Sequence, residues 1–116
     1  MRLFLADDQT KVRSALRLLL EQEPDFEIVG EAADATGLLQ GVAEKEPDLV
    51  LLDWELPGLL LPQLLRLLQY ERPSLTIIAM SSHPEVAHLA LDAGANGFLS
   101  KSEAPAQVLA IIRSLI

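Results

Sequence analysis

Leu49-Val50-Leu51-Leu52-Asp53 is a run of four apolar residues ending on a carboxylate, and Leu3-Phe4-Leu5-Ala6-Asp7-Asp8 repeats the pattern with two. Runs this short and apolar suit strands buried on both faces, as in a parallel sheet covered by helices. The carboxyl ends of such strands form the crevice where α/β proteins place their chemistry. Three acids converging there raise one another's pKa and cost stability. A bound divalent cation is the usual relief.

Working outward, short apolar runs alternate with longer amphipathic ones, the pattern of repeated βα units. Strands are predicted at Leu3 to Ala6, Glu27 to Glu31, Leu49 to Asp53, Leu75 to Met80 and Gly97 to Ser100. Val12, Ala15, Leu16, Leu19 and Leu20 mark one face of the first helix, with Arg13, Arg17 and Glu21 on another. Val108, Leu109, Ile111, Ile112 and Leu115 do the same in the last, where Ser102 is the candidate N-cap and Pro105 sits in the first turn. Pro24, Pro47 and Pro73 punctuate the returns to the sheet. Gly37 and Gly41 fall inside the second helical pattern, where each costs about 1 kcal/mol relative to alanine. They signal either a marginal helix or close packing on the sheet.

The 116 residues suit one domain, and with half of them apolar and 22% charged a folded core is expected. The net charge of -8 argues against nucleic-acid binding by this chain alone, since that affinity rests on Lys and Arg neutralising phosphates. There is no cysteine, which fits the cytoplasm. The most apolar stretch, Leu56 to Leu68, is interrupted by Pro57, Gly58, Pro62, Gln63 and Arg66 and falls short of the ~20 residues that span a bilayer. Met1 to Leu5 run directly into Asp7-Asp8, too short for a signal-peptide core. A cytoplasmic location and no membrane partner are expected.

Asp53 closes the third strand and precedes the turn-forming Trp54-Glu55-Leu56-Pro57-Gly58, which makes it the candidate nucleophile. Carboxylates accept phosphoryl groups covalently, a transfer that needs positioning and charge neutralisation more than acid-base work. Magnesium is typically held by one or two carboxylates together with phosphate oxygens and water, a demand that Asp7, Asp8 and Asp53 meet. Ser81 follows the fourth strand, where its hydroxyl can donate to a phosphoryl oxygen. Lys101 follows the fifth, where its ammonium can neutralise another. Four strand ends thus carry Asp-Asp, Asp, Ser and Lys in order.

From Arg2 to Leu115 the chain resembles the receiver domain of two-component response regulators. The resemblance is carried by Phe4-Leu5-Ala6-Asp7-Asp8, by Pro47 through Asp53 with Leu56-Pro57-Gly58, by Met80-Ser81-Ser82 and by Ala93 through Lys101. It implies a flavodoxin-like, doubly wound five-stranded α/β domain in which Asp53 takes a phosphoryl group from a sensor histidine kinase or a small phosphodonor. It further implies that Asp8 ligates Mg2+ directly, Asp7 through water, and Glu55 through its backbone carbonyl, with Ser81 and Phe98 as a switch pair. The readout face, and a surface for a homodimer, would be the fourth helix, fifth strand and fifth helix. Met80-Ser81-Ser82-His83 and Lys101-Ser102-Glu103 point to receivers that precede a LuxR/NarL-type helix-turn-helix output domain. A stand-alone regulator and the receiver of a longer protein both stay open.

Where receivers commonly have Asp-Gly or Asn-Gly after Pro57-Gly58, this chain has Leu59-Leu60-Leu61-Pro62. The leucines either expose an apolar patch near the site or turn inward under the third helix. Glu55 is placed to reach metal-bound water or to repel a phosphodonor. His83 is either a neighbour of the attacking water or an N-cap neighbour, and His88 is a surface or half-buried residue. Three functions compete: a phosphorylation-dependent switch controlling an output such as transcription, a pseudo-receiver that binds partners without switching, and a magnesium-dependent phosphohydrolase. The last would need a second general acid or base and a substrate pocket, neither clearly encoded, so turnover of an external substrate is not expected.

Overall fold

Each apolar run becomes a strand and each amphipathic run a helix. The computed structural model describes residues 1–116, in the order β1 (Arg2–Ala6), α1 (Thr10–Leu20), β2 (Glu27–Ala32), α2 (Ala35–Lys45), β3 (Leu49–Asp53), α3 (Leu61–Glu71), β4 (Thr76–Ser81), α4 (Ala87–Asp92), β5 (Gly97–Ser100) and α5 (Pro105–Ser114). A short 3-10 turn, Pro84–Val86, leads into α4. The strands form one sheet in the order β2-β1-β3-β4-β5, with every neighbouring pair parallel. Chain direction across the sheet reverses between β1 and β3, the place where such sheets open a crevice at their carboxyl end.

Side chains alternate across a strand, so each strand feeds two cores. Phe4, Val50, Leu52, Ile77 and Ala79 join the layer with α2, α3 and α4. Leu3, Leu5, Leu49, Leu51, Ile78 and Met80 join the layer with α1 and α5. All five residues of β3 are buried, which is why that strand reads as an unbroken apolar run up to Asp53.

Gly41 resolves in favour of close packing: a Cβ there would land on the ring of Phe4, which is itself buried. Helix α2 is capped by Asp34, whose carboxylate accepts from the Gly37 N–H at 2.7 Å. The loop after β3 turns at Gly58, where φ is +117°. A Cβ there would meet the Ala35 backbone nitrogen at 3.2 Å. The Pro57 carbonyl in turn accepts from that Ala35 N–H at 2.9 Å, tying the loop to the start of α2.

Three expectations need correction, and one open alternative is decided. Ser102 does not cap α5; Ala104 occupies that position because Pro105, with its preset φ, fixes where the helix begins. The Ser102 hydroxyl pairs with that of Ser100 instead, at 2.9 Å. Ala15 is exposed, since α1 and α5 stand apart around a groove of about 310 Å3 lined by Leu16, Leu99 and Val108 among others. Strand β4 lies one residue later than its apolar run, because Ser81 still pairs with Ser100 at the sheet's end. The three leucines divide: Leu61 is buried as the first residue of α3, whereas Leu60 is 70% exposed and Leu59 is at the surface. His83 precedes the 3-10 turn and His88 is exposed. No helix is long and apolar enough to cross a membrane.

Candidate functional site

The carboxyl ends of β1, β3, β4 and β5 converge. Asp7 and Asp53 are buried, Asp8 is exposed, and carboxylate oxygens of the three lie within 4.8 Å of one another. Ser81, also buried, ends β4, and Lys101 follows β5. The backbone N–H of Lys101 donates to the Ser81 carbonyl at 2.9 Å, which sets the root of the lysine side chain.

Lys101 Nζ lies 2.7 Å from Asp7 Oδ2 and 3.3 Å from Asp53 Oδ1. Burial works against its charge, but the close pairing with Asp7 and the attraction of Asp53 outweigh that and raise its pKa. Asp7 Oδ1 accepts from the Gln9 N–H at 2.8 Å, and Asp53 Oδ1 from the Glu55 N–H at 3.0 Å. Burial pushes the Asp53 carboxyl above its ordinary value, and the charge of Asp7 adds to this. The Glu55 N–H and Lys101 offset only part of it. Asp7 Oδ2 has the ion pair but no aligned hydrogen bond, so a buried carboxylate oxygen is left partly unsatisfied. A hard cation bound by oxygens fits that donor set.

Outside the acids is a polar cleft of about 200 Å3 lined by Asp8, Gln9, Asp53, Glu55, Ser82, His83 and Lys101. The Ser81 hydroxyl accepts from the His83 N–H at 2.9 Å and points to Glu55 Oε1 at 3.5 Å. The Glu55 side chain is largely exposed on the rim, 3.8 Å from the His83 imidazole. Phe98 is half-buried against the core that includes α2, α3 and α4, and paired in register with Ala79. Trp54 is partly buried beside that core, its backbone N–H on the Met80 carbonyl at 2.8 Å.

Two residues were not singled out from the sequence. Gln9 contributes a backbone donor to Asp7, the turn that an aspartate favours two residues on. Arg13, read only as part of the polar face of the first helix, sends its guanidinium back to the Asp7 carbonyl. No sequence pattern distinguishes that contact from ordinary helix surface.

The family described as Response regulator receiver domain matches residues 3–113, and the chain belongs to it. Its homologues include LuxR/NarL-type response regulators. It is 38% identical over 118 residues to the transcriptional activator protein ExaE of Pseudomonas putida, covering 100% of this chain and 55% of that protein. Among solved structures, a LuxR-family two-component response regulator from Aurantimonas sp. SI85-9A1 superposes with a TM-score of 0.88 at 33% identity, covering 97% of this chain and 82% of the other. RcsB from Salmonella enterica serovar Typhimurium, bound to a promoter in the presence of the phosphomimetic BeF3-, does so with a TM-score of 0.88 at 27% identity, covering 99% and 59%. The chain spans about half the length of the curated relatives it matches.

Proposed function

We propose that the chain is a phosphorylation-controlled switch in which Asp53 accepts a phosphoryl group from a sensor histidine kinase or a small phosphodonor. The observation that carries this reading is the Asp53 carboxylate, only 2% exposed, at the base of an entirely polar cleft with Lys101 Nζ 3.3 Å away. An oxygen of Asp53 attacks phosphorus as the donor's P–N or P–O bond breaks, and the leaving group departs with the bonding electron pair. Asp53 Oδ1 is engaged by the Glu55 N–H and Lys101, whereas Oδ2 has no protein hydrogen bond and is the free nucleophile.

Asp7, Asp8 and Asp53, with the backbone carbonyl of Glu55, would hold Mg2+. When bound it neutralises charge on the phosphoryl oxygens. Lys101 neutralises a further oxygen, and the Ser81 hydroxyl turns from Glu55 to donate to another. Phe98 follows Ser81 inward, and the change is read at α4, β5 and α5, where Leu89 and Leu91 are exposed and a homodimer would form. Because the relatives it matches are about twice as long, we place the chain in a longer cytoplasmic regulator of transcription whose helix-turn-helix output domain meets the DNA.

The test is intact mass after incubation with magnesium chloride and acetyl phosphate. Wild type should gain one phosphoryl group and Asp53→Asn none. If neither gains mass while magnesium binds, the switch fails and the pseudo-receiver reading replaces it.

A further inference from the structure

We infer that Arg13 is a positioning residue for the acidic cluster, fixing the peptide between Asp7 and Asp8 and thereby the direction of the Asp8 carboxylate; this rests on the magnesium reading above.

The three acids are not held alike. Asp7 is anchored by its N–H on the Ala32 carbonyl at 3.0 Å and by Gln9 and Lys101 at its two carboxylate oxygens. Asp53 is anchored by Glu55 and Lys101. The Asp8 side chain is exposed and takes no hydrogen bond or ion pair, so its aim depends on the backbone that carries it. The peptide plane on its N-terminal side includes the Asp7 carbonyl. No backbone N–H reaches that oxygen, and the group that does is Arg13 Nη1.

Arg13 is itself immobilised. Its Nε donates to Glu31 Oε1 at 3.0 Å, and its side chain is 17% exposed. Glu31 also pairs with Arg17 at 2.6 Å, and Arg17 with Glu21 at 2.6 Å. The planar fork of arginine holds a carbonyl and a carboxylate in fixed, divergent directions, a geometry that the point-like ammonium of lysine does not impose. Glu31 balances its charge, so its effect on the cluster is one of geometry.

Charge and geometry predict opposite signs. Deleting a cation beside three carboxylates strengthens Mg2+ binding on electrostatic grounds, whereas releasing the Asp7-Asp8 peptide weakens it. Removing the groups that orient metal ligands typically lowers affinity 10–100-fold.

The experiment is titration with magnesium chloride, read by calorimetry and by Trp54 fluorescence, with melting in chelator as the control for folding. Arg13→Met should weaken binding about tenfold. Arg13→Lys, which keeps the charge but loses the rigid fork, should weaken it roughly threefold and keeps the question open to decision if the Met variant does not fold. Glu31→Gln, which retains Arg13 and an acceptor for it, should stay within about twofold. Affinity equal to or tighter than wild type in both Arg13 variants overturns the positioning role, as does an equal loss in Glu31→Gln. If wild type binds no magnesium, or Asp8→Asn binds as tightly as wild type, the magnesium reading falls and takes this role with it.

Discussion

Lys101 Nζ is 2.7 Å from Asp7 Oδ2, so the chain carries its own counter-ion inside the acidic cluster. That ammonium occupies the side of the cluster a divalent cation would otherwise share, and the two compete for the same negative potential. Lys101→Met should therefore lower stability in chelator by about 3 kcal/mol, the usual cost of leaving a buried charge without its partner. The same variant should bind Mg2+ more tightly than wild type. Melting in chelator and a magnesium titration check the two halves, and weaker magnesium binding would contradict this account of the lysine.

Asp53 holds its proton more tightly in the folded chain than in the unfolded one, because burial and Asp7 disfavour its charge. Its contribution to stability is complete below the unfolded carboxyl pKa of about 3.9 and is lost as pH rises through the higher folded value. Ionised Asp53 is thus a net cost at neutral pH without a metal. Asp53→Asn should melt above wild type at pH 7 in chelator, each kcal/mol appearing as about 4 °C or more, and the gap should close as pH falls toward 4. A lower melting point for the variant at pH 7 would show that the carboxylate is stabilising as it stands.

Gly41→Ala sets two effects against each other. Alanine favours the α2 helix by about 1 kcal/mol, but its methyl group lands on the buried Phe4 ring, and overpacking costs about 1–3 kcal/mol. Urea denaturation should show a net loss of about 1 kcal/mol. Phe4→Leu should cost less in the Gly41→Ala background than alone, since the two sites share one space. Additive losses would mean that the ring moves aside.

The fold was legible because strands buried on both faces must be apolar throughout; Leu49 to Leu52 had no other reading consistent with Asp53 at their end. The acids, Ser81 and Lys101 were legible for a related reason, since polar residues that terminate buried strands stand out from what precedes them. Other features depend on distances that periodicity does not carry. Ala15 has the spacing of a core residue, yet the gap between α1 and α5 leaves it in solvent. Leu59, Leu60 and Leu61 are chemically identical, and only the start of α3 at Leu61 decides which one is buried. Arg13 has the spacing of a surface residue, and its hold on the Asp7 carbonyl follows from how α1 leaves the sheet.

The bond between the Ala35 N–H and the Pro57 carbonyl joins segments 22 positions apart, one in the loop that leaves Asp53 and one at the head of α2. Gly58 closes against the same residue. The loop is therefore not a separable cassette. A chimera that imports a relative's residues after Asp53 but keeps this chain's α2 pairs a foreign turn with a native anchor. Crossover points that carry both segments from one parent preserve the fit, and recombination libraries of this family should be partitioned accordingly.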